Sequence, residues 1–297
     1  MKTFNTREFF FHSANYMVYT VFMLFCIYPF YYIFINSISS PDAIISGVYF
    51  WPKELTFDTY RQLFQSDNIL NAFFVSASRA VIGTFITVLA CSFFSFLITK
   101  REMFARKFVY RFVIITMYLN AGLIPWYITM RGLGLKDNYL LYILPGIISA
   151  YFVILIKTYM ESLPPVLEES AMIDGAGYLR IFSSIILPVC MPILATVAVF
   201  NAVNQWNSWT DNYFLVSNPK LQTLQLILLN YLRQAESMAS DANRQLITSS
   251  AGITGFKVSS ASVRLAITMI VTLPIMLVYP FMQRYFVKGI MMGAVKG

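Results

Sequence analysis

Charged residues divide this chain into long apolar stretches separated by shorter polar ones. Six stretches of at least nineteen positions hold no Asp, Glu, Lys or Arg: 9–41, 80–99, 112–130, 138–156, 181–210 and 265–283. Each is long enough for a helix to cross a hydrocarbon layer of roughly 30 Å at about 1.5 Å per residue. The pattern predicts an all-α polytopic membrane protein, one transmembrane domain over 1–297, with spans near 15–36, 76–99, 108–129, 138–158, 186–207 and 264–286. The first apolar run exceeds a signal-peptide core and has no small-residue cleavage pattern behind it, so it is read as a span. Between spans, the turn from Arg131 to Lys136 is short, whereas 161–185 and 211–262 are long. The second of these is polar, yet Leu221, Leu224, Leu226, Leu228 and Leu229 predict a helix within it that packs on something.

Composition reinforces the reading. Apolar residues make up 58% and charged residues 12%, against about a quarter charged in soluble chains. Cys26, Cys91 and Cys190 fall singly inside expected spans and read as buried reduced thiols, which excludes a disulfide scaffold. With His12 the single histidine, no His/Cys cluster for a metal is expected. The net charge of +8 is a matter of topology rather than nucleic acid. Lys100, Arg101, Arg106, Lys107 and Arg111 crowd one short loop, which the positive-inside rule puts in the cytoplasm together with both termini. The same charges would attract anionic membrane lipid.

The segment 161–185 carries most information. Ser162 can cap a helix, Pro165 suits a first turn, and Glu168 and Glu169 favour the positive end of the dipole. The helix should stop at Asp174-Gly175, where glycine can turn left-handed. Tyr178, Ile181, Phe182 and Ile185 then repeat at helical spacing, predicting an apolar stripe along the membrane face before Pro188 opens the fifth span. From helix physics alone the segment is either an interfacial connector or a docking element.

Glu169-Ser170-Ala171, three residues, Gly175, nine residues and Ile185-Ile186-Leu187-Pro188 resemble the EAA motif of ATP-binding-cassette (ABC) importer permeases, with Ser170 in place of the first alanine. Further landmarks resemble the carbohydrate-uptake (maltose-type, MetI-like) permeases over nearly the whole chain. These are Asn71, Gly122-Leu123-Ile124-Pro125, Leu144-Pro145-Gly146, Gln205-Trp206-Asn207-Ser208-Trp209 and the ending from Tyr279-Pro280 to Lys288-Gly289. The Gly-Leu-Ile-Pro and Trp-Asn-Ser-Trp strings are most similar to the Lpl-type subgroup, which imports oligosaccharides.

The resemblance implies a type I importer permease fold in a bacterial plasma membrane, a second and different permease chain, an ABC ATPase dimer and an extracytoplasmic sugar-binding protein. It also implies that Leu167, Glu169, Ser170, Ala171, Ile173, Asp174 and Gly175 contact the ATPase. In that role Glu169 would meet a basic residue, Ala171 and Gly175 would permit close approach, and Leu167 and Ile173 would fill apolar pockets. The C-terminal tail from Lys288 would insert between the ATPase subunits, its glycines easing the path.

The chain has no Gly-Lys dipeptide and so no Walker A loop; Asp174-Gly175-Ala176-Gly177 reads as a helix stop. No catalytic set is apparent, so the chain is expected to be a non-enzymatic subunit binding no cofactor, with ATP and Mg on the partner ATPase. A secondary transporter would want an acidic residue at mid-membrane, and the uncharged stretches offer none.

Asn201, Asn204, Gln205 and Ser208 recur at i, i+3, i+4, i+7 with Trp206 and Trp209 alongside. They could line a sugar pathway, since hydroxyls want amides and sugar C–H faces want aromatic rings. They could equally join helices or form an aromatic belt. Asn120 and Trp126 are further pathway candidates, while Pro125 is expected to kink the third span. Arg79, at the outer edge of the second span, reads first as a snorkelling side chain and second as a ligand.

Overall fold

A computed structural model describes residues 6–65, 67–233 and 260–294. By their contacts the described residues group into two compact units, one drawn from the first 66 residues and 228–273, the other from 67–227 and 274–297.

The first unit opens with α1 (Thr6–Ser37). Its apolar side chains are largely exposed, as they must be where the surrounding medium is hydrocarbon. Where α1 ends, the chain turns through α2 (Pro41–Ser46) and α3 (Asp58–Gln65). Ser40 caps α2 through the Ala43 N–H, and Pro41 fills its first position. Ile35, Ala43 and Val48 form a small core here, and Asn36 Nδ2 donates to the Val48 carbonyl at 3.0 Å. Among the described residues the only β contact is an isolated antiparallel bridge, Ser39 to Leu55.

The second unit is built on α4 (Asp67–Thr99), against which α7 (Ala150–Glu161) and α11 (Met191–Asn207) pack. Its core includes Cys91, Phe96, Phe152, Ile156, Phe182 and Val197. Several of its helices are broken, and α4 supplies hydrogen bonds where backbone groups come free. Thr87 Oγ1 donates to the Gly146 carbonyl (3.0 Å) and Cys91 Sγ accepts from the Ser149 N–H (3.4 Å), both at the break before α7, while Ser95 Oγ adds a bond to the Val153 carbonyl inside α7 (3.0 Å). In hydrocarbon such bonds are the condition for tolerating a break at all.

Among the described residues, three helical stretches are long and apolar enough to cross a membrane: Phe10–Ser37, Asn68–Thr99 and Ala261–Pro280. Two more arise if each of two bent pairs counts once: Tyr139–Gly146 with Ala150–Glu161, bent by 47°, and Tyr178–Val189 with Met191–Asn207, bent by 79°. The expected third span, 108–129, is instead two short helices, α5 (Arg106–Tyr118) and α6 (Leu123–Gly132). The break is not at Pro125. It falls at 119–122, where Asn120 Oδ1 accepts the Gly122 N–H at 2.9 Å and Gly122 takes φ +82°.

Other expectations change. Ser162 does not cap the following helix; it ends α7 and donates to the Tyr159 carbonyl. The stripe of Tyr178, Ile181, Phe182 and Ile185 does not lie along the membrane face, since Ile181 and Phe182 are buried and Ile185 packs on the same core. Helix α9 (Tyr178–Ile181) runs through a π-helical turn, Phe182–Ile186, into α10 (Leu187–Val189), so helical structure begins before the expected boundary at 186. Cys91 and Cys190 are buried thiols but Cys26 is exposed. Of the 211–262 segment, α12 (Thr210–Leu215) and α13 (224–233) are described, with Leu224 and Leu226 buried; 234–259 lie outside the described residues. Helix α14 (Ser260–Ala294) continues past the expected boundary at 286 and past Gly289.

Candidate coupling helix and polar cleft

Helix α8 (Val166–Ile173) begins behind Pro164-Pro165 with Glu168 and Glu169 in its first turn. Its end is a Schellman motif: Gly175 N–H donates to the Met172 carbonyl (3.0 Å), Ala176 N–H to that of Ala171 (2.9 Å), and Gly175 has φ +78°. Asp174-Gly175-Ala176-Gly177 is thus a helix stop.

Two faces of α8 differ. Ala171 is buried in the core of its own unit, so it is a packing contact within the chain rather than a point of close approach for a partner. Glu168 forms an ion pair with Lys100, whose ammonium also lies over the Phe96 ring. Outward, Glu169, Ser170, Met172, Ile173, Asp174 and Gly175 are exposed, Ile173 at 87%; Leu167 is half-buried, and Ser170 Oγ is spent on the Val166 carbonyl. Glu161, just upstream, takes Lys157 at 2.7 Å and Arg106 at 3.7 Å. The turn between α4 and α5 therefore holds 161–168 by ion pairs, leaving Glu169 as the unpaired carboxylate of the first turn among the described residues.

A second site is a cleft of about 270 Å³ where α4, α6, the 3₁₀ turns Tyr139–Tyr142 and Leu144–Gly146, α11 and α12 meet. Its polar lining includes Asn201, Asn204, Gln205 and Ser208, with Trp126 beside them. Asn120, Trp206 and Trp209 are elsewhere. Asn120 is exposed at the helix break, Trp209 packs edge-on against Tyr213, and Trp206 meets Phe73 in a separate apolar cavity of about 560 Å³.

Arg79 organises the cleft. It is 3% exposed rather than snorkelling. Its Nε donates to Gln205 Oε1 (2.8 Å), Nη1 to Asp211 Oδ1 (3.2 Å) and the Ser208 carbonyl (3.3 Å), and Nη2 to Asp211 Oδ2 (2.5 Å). The guanidinium lies 4.6 Å from the Tyr142 ring centroid. Every nitrogen is engaged, so the paired charges cancel and amides and a tryptophan remain to meet a solute. Gln205 can reach Arg79 because position 83 is glycine; a Cβ there would come within 3.1 Å of its Nε2. The sequence reading missed Asp211. A signal existed, since Arg79 and Asp211 bound the second and fifth uncharged stretches at what would be the same end of two antiparallel spans.

The profile of the family described as "Binding-protein-dependent transport system inner membrane component" matches residues 89–292. The chain belongs to this family. It is 31% identical over 278 residues to the "Polygalacturonan/rhamnogalacturonan transport system permease protein YtcP" of Bacillus subtilis (strain 168), covering 93% of this chain and 95% of that protein. It is 33% identical over 274 residues to "Protein LplC" of the same organism, covering 91% and 90%. Its fold is similar to that in the crystal structure of a bacterial ABC transporter involved in the import of the acidic polysaccharide alginate, with TM-score 0.78, 27% identity and coverage of 96% and 100%. Three of the strings that mark the resemblance fall at helix breaks: Gly122–Pro125 at the start of α6, Leu144–Gly146 as a 3₁₀ turn, and Trp206–Trp209 across the end of α11 and the break before α12.

Proposed function

We propose that this chain is the transmembrane permease subunit of an ATP-driven oligosaccharide importer. It crosses the plasma membrane six times with both termini in the cytoplasm, forms half of the translocation pathway beside a second, different permease chain, and couples through 161–185 to a separate ABC ATPase dimer carrying ATP and Mg. An extracytoplasmic sugar-binding protein delivers the solute, in keeping with the family description, and the saccharide transport named for the relatives supports an oligosaccharide cargo.

The observation that carries the coupling role is the two-sided anchoring of α8. Its inner face is fixed by Ala171 and Glu168, while Glu169, Met172 and Ile173 project outward on a helix whose end is set by backbone hydrogen bonds. A rigid element with a free face is what a two-state motion needs for transmission. The proposed contacts are Glu169 for a basic side chain and Leu167 and Ile173 for apolar pockets, with Asp174 and Gly175 at the edge. The C-terminal end of α14 would approach the same partner.

The cleft around Asn201, Asn204, Gln205, Ser208 and Trp126 is proposed as pathway lining. The deciding experiment is purification and uptake with Glu169→Lys. The expected outcome is normal membrane insertion, loss of co-purifying ATPase and uptake reduced at least tenfold, corresponding to about 1.4 kcal/mol or more of lost coupling. Retention of both uptake and ATPase would overturn the docking role.

A further inference from the structure

The turn between α4 and α5 contains a cavity of about 710 Å³ that neither proposed site uses. It is lined by Arg101, Arg106, Lys107 and Arg111 together with Met103, Ala105 and Phe108, with no acidic residue in the lining. Among the described residues the side chains of Arg101, Lys107 and Arg111 have no hydrogen bond or ion pair, and that of Arg106 has only the 3.7 Å ion pair with Glu161. Arg106 faces Glu161, and the exposed Glu102 of the same turn lies outside the lining; the three remaining cations around one concavity repel one another unless an anion joins them. The α5 N-terminus opens on the same turn with Ala105 at its cap and no capping side chain, adding partial positive charge.

An apolar surface starts at the cavity and runs along α5. Phe104 is 93% exposed, and Phe108, Phe112 and Ile115 follow at helical spacing, all exposed, with Phe108 and Phe112 stacked. In a member of an inner-membrane family, a cluster of cations at the end of an apolar stripe has the polarity of a phospholipid, anion at one end and hydrocarbon beyond. We propose that this cavity binds the phosphate headgroup of an anionic phospholipid, whose acyl chains lie against the Phe108, Phe112 and Ile115 stripe. Arg101 and Arg111 supply forked donors to the phosphate oxygens, and Lys107 supplies a point charge. A free inorganic anion would satisfy the cations but leave the stripe unexplained, and so would an acidic protein surface. Arg106 links the site to Glu161, so a bound headgroup would compete for one of the ties on the 161–168 segment. The inference requires membrane placement only, not the oligosaccharide reading.

The test is native mass spectrometry of the delipidated full chain, with the subunits that co-purify with it, titrated with dioleoylphosphatidylglycerol or dioleoylphosphatidylcholine. The expected result is preferential retention of the anionic phosphatidylglycerol over the zwitterionic phosphatidylcholine. In the variant Arg101→Gln/Lys107→Gln/Arg111→Gln that preference falls by roughly tenfold or more, each basic residue near the surface contributing attraction. Arg101→Lys/Arg111→Lys should keep a weakened preference. Unaltered subunit recovery and thermal midpoint in lipid-free detergent show that the triple variant is folded. Equal retention of the two lipids, or an unchanged preference in the triple variant, would overturn the proposal. So would displacement by millimolar inorganic phosphate, which would make the site one for free anions. Loss of the ATPase with lipid retention unchanged would assign the cavity to an acidic protein surface instead.

Discussion

Arg79 and Asp211 are 132 positions apart and meet with side chains 4% and 13% exposed. Removing one member of such a pair strands the other charge, a change that costs about 3–5 kcal/mol, whereas replacing both with apolar groups costs far less. Asp211→Asn should therefore lower the thermal midpoint of the purified complex more than Arg79→Met/Asp211→Leu does. If the double variant is as unstable as the sum of the singles, the two residues do not act as a pair. Asp137 offers a different probe, outside the spans. Its carboxylate accepts the N–H groups of Asn218 (2.8 Å) and Ser217 (2.5 Å), which hold its pKa below the ordinary value. A carboxylate with a depressed pKa contributes order that is present above its unfolded pKa, near 3.9, and is lost as pH falls through the lower folded value. Protection of the Ser217 and Asn218 amides against hydrogen exchange, taken relative to their intrinsic rates at each pH, should fall below about pH 4, and Asp137→Asn should flatten that dependence. The left-handed φ of +53° at 137 is one that asparagine accepts.

Among the helices, α8 was the most legible in sequence because its boundaries depend on neighbours. A proline pair, two acids and Asp-Gly are local signals, and the Schellman motif they predict is present. What local signals could not convey is the direction in which each side chain points, which is why Ala171 turned out to face its own core. The same limit hid the bend near Cys190 and the π-helical turn before it, since apolar residues continue without interruption through both. Gly175 tests the backbone argument in isolation, because a Cβ there would meet no atom within 4 Å. The cost is conformational: Gly175→Ala should lose about 1 kcal/mol and Gly175→Val more, since a β-branched residue resists positive φ. Coupled ATP hydrolysis should fall in the order glycine, alanine, valine; equal rates for the two variants would remove the role of the helix stop.

Among the described residues, the charge-free stretches located the three longest helices, α1, α4 and α14, yet continuity was not readable from them. A stretch of nineteen uncharged residues looks the same whether it forms one helix or two joined at Leu119–Gly122, because hydrocarbon selects composition and leaves the break to be satisfied by neighbours. The pairing of Arg79 with Asp211 was likewise invisible to any local window. The 211–262 segment remains the largest stretch whose role is a matter for experiment. Deleting Glu236 to Ser249 should weaken stimulation of ATP hydrolysis by loaded binding protein while leaving assembly unchanged; unaltered stimulation would make the stretch a passive insertion.

The ion pairs that hold 161–168 also give the basic turn two roles separated in time. While the chain is being inserted, Lys100 and Arg106 precede their partners by about sixty residues of unsynthesised sequence, so all the cations of 100–111 can act together as an orientation signal. Once Glu161 and Glu168 arrive, those two charges are withdrawn and become fasteners, while Arg101, Lys107 and Arg111 keep facing outward. Glu168→Gln should then spare orientation and loosen α8, whereas Lys100→Gln should weaken both. A topology reporter fused after α4, read beside coupled hydrolysis, would separate the two, and identical behaviour of the variants would mean that the turn serves one purpose throughout.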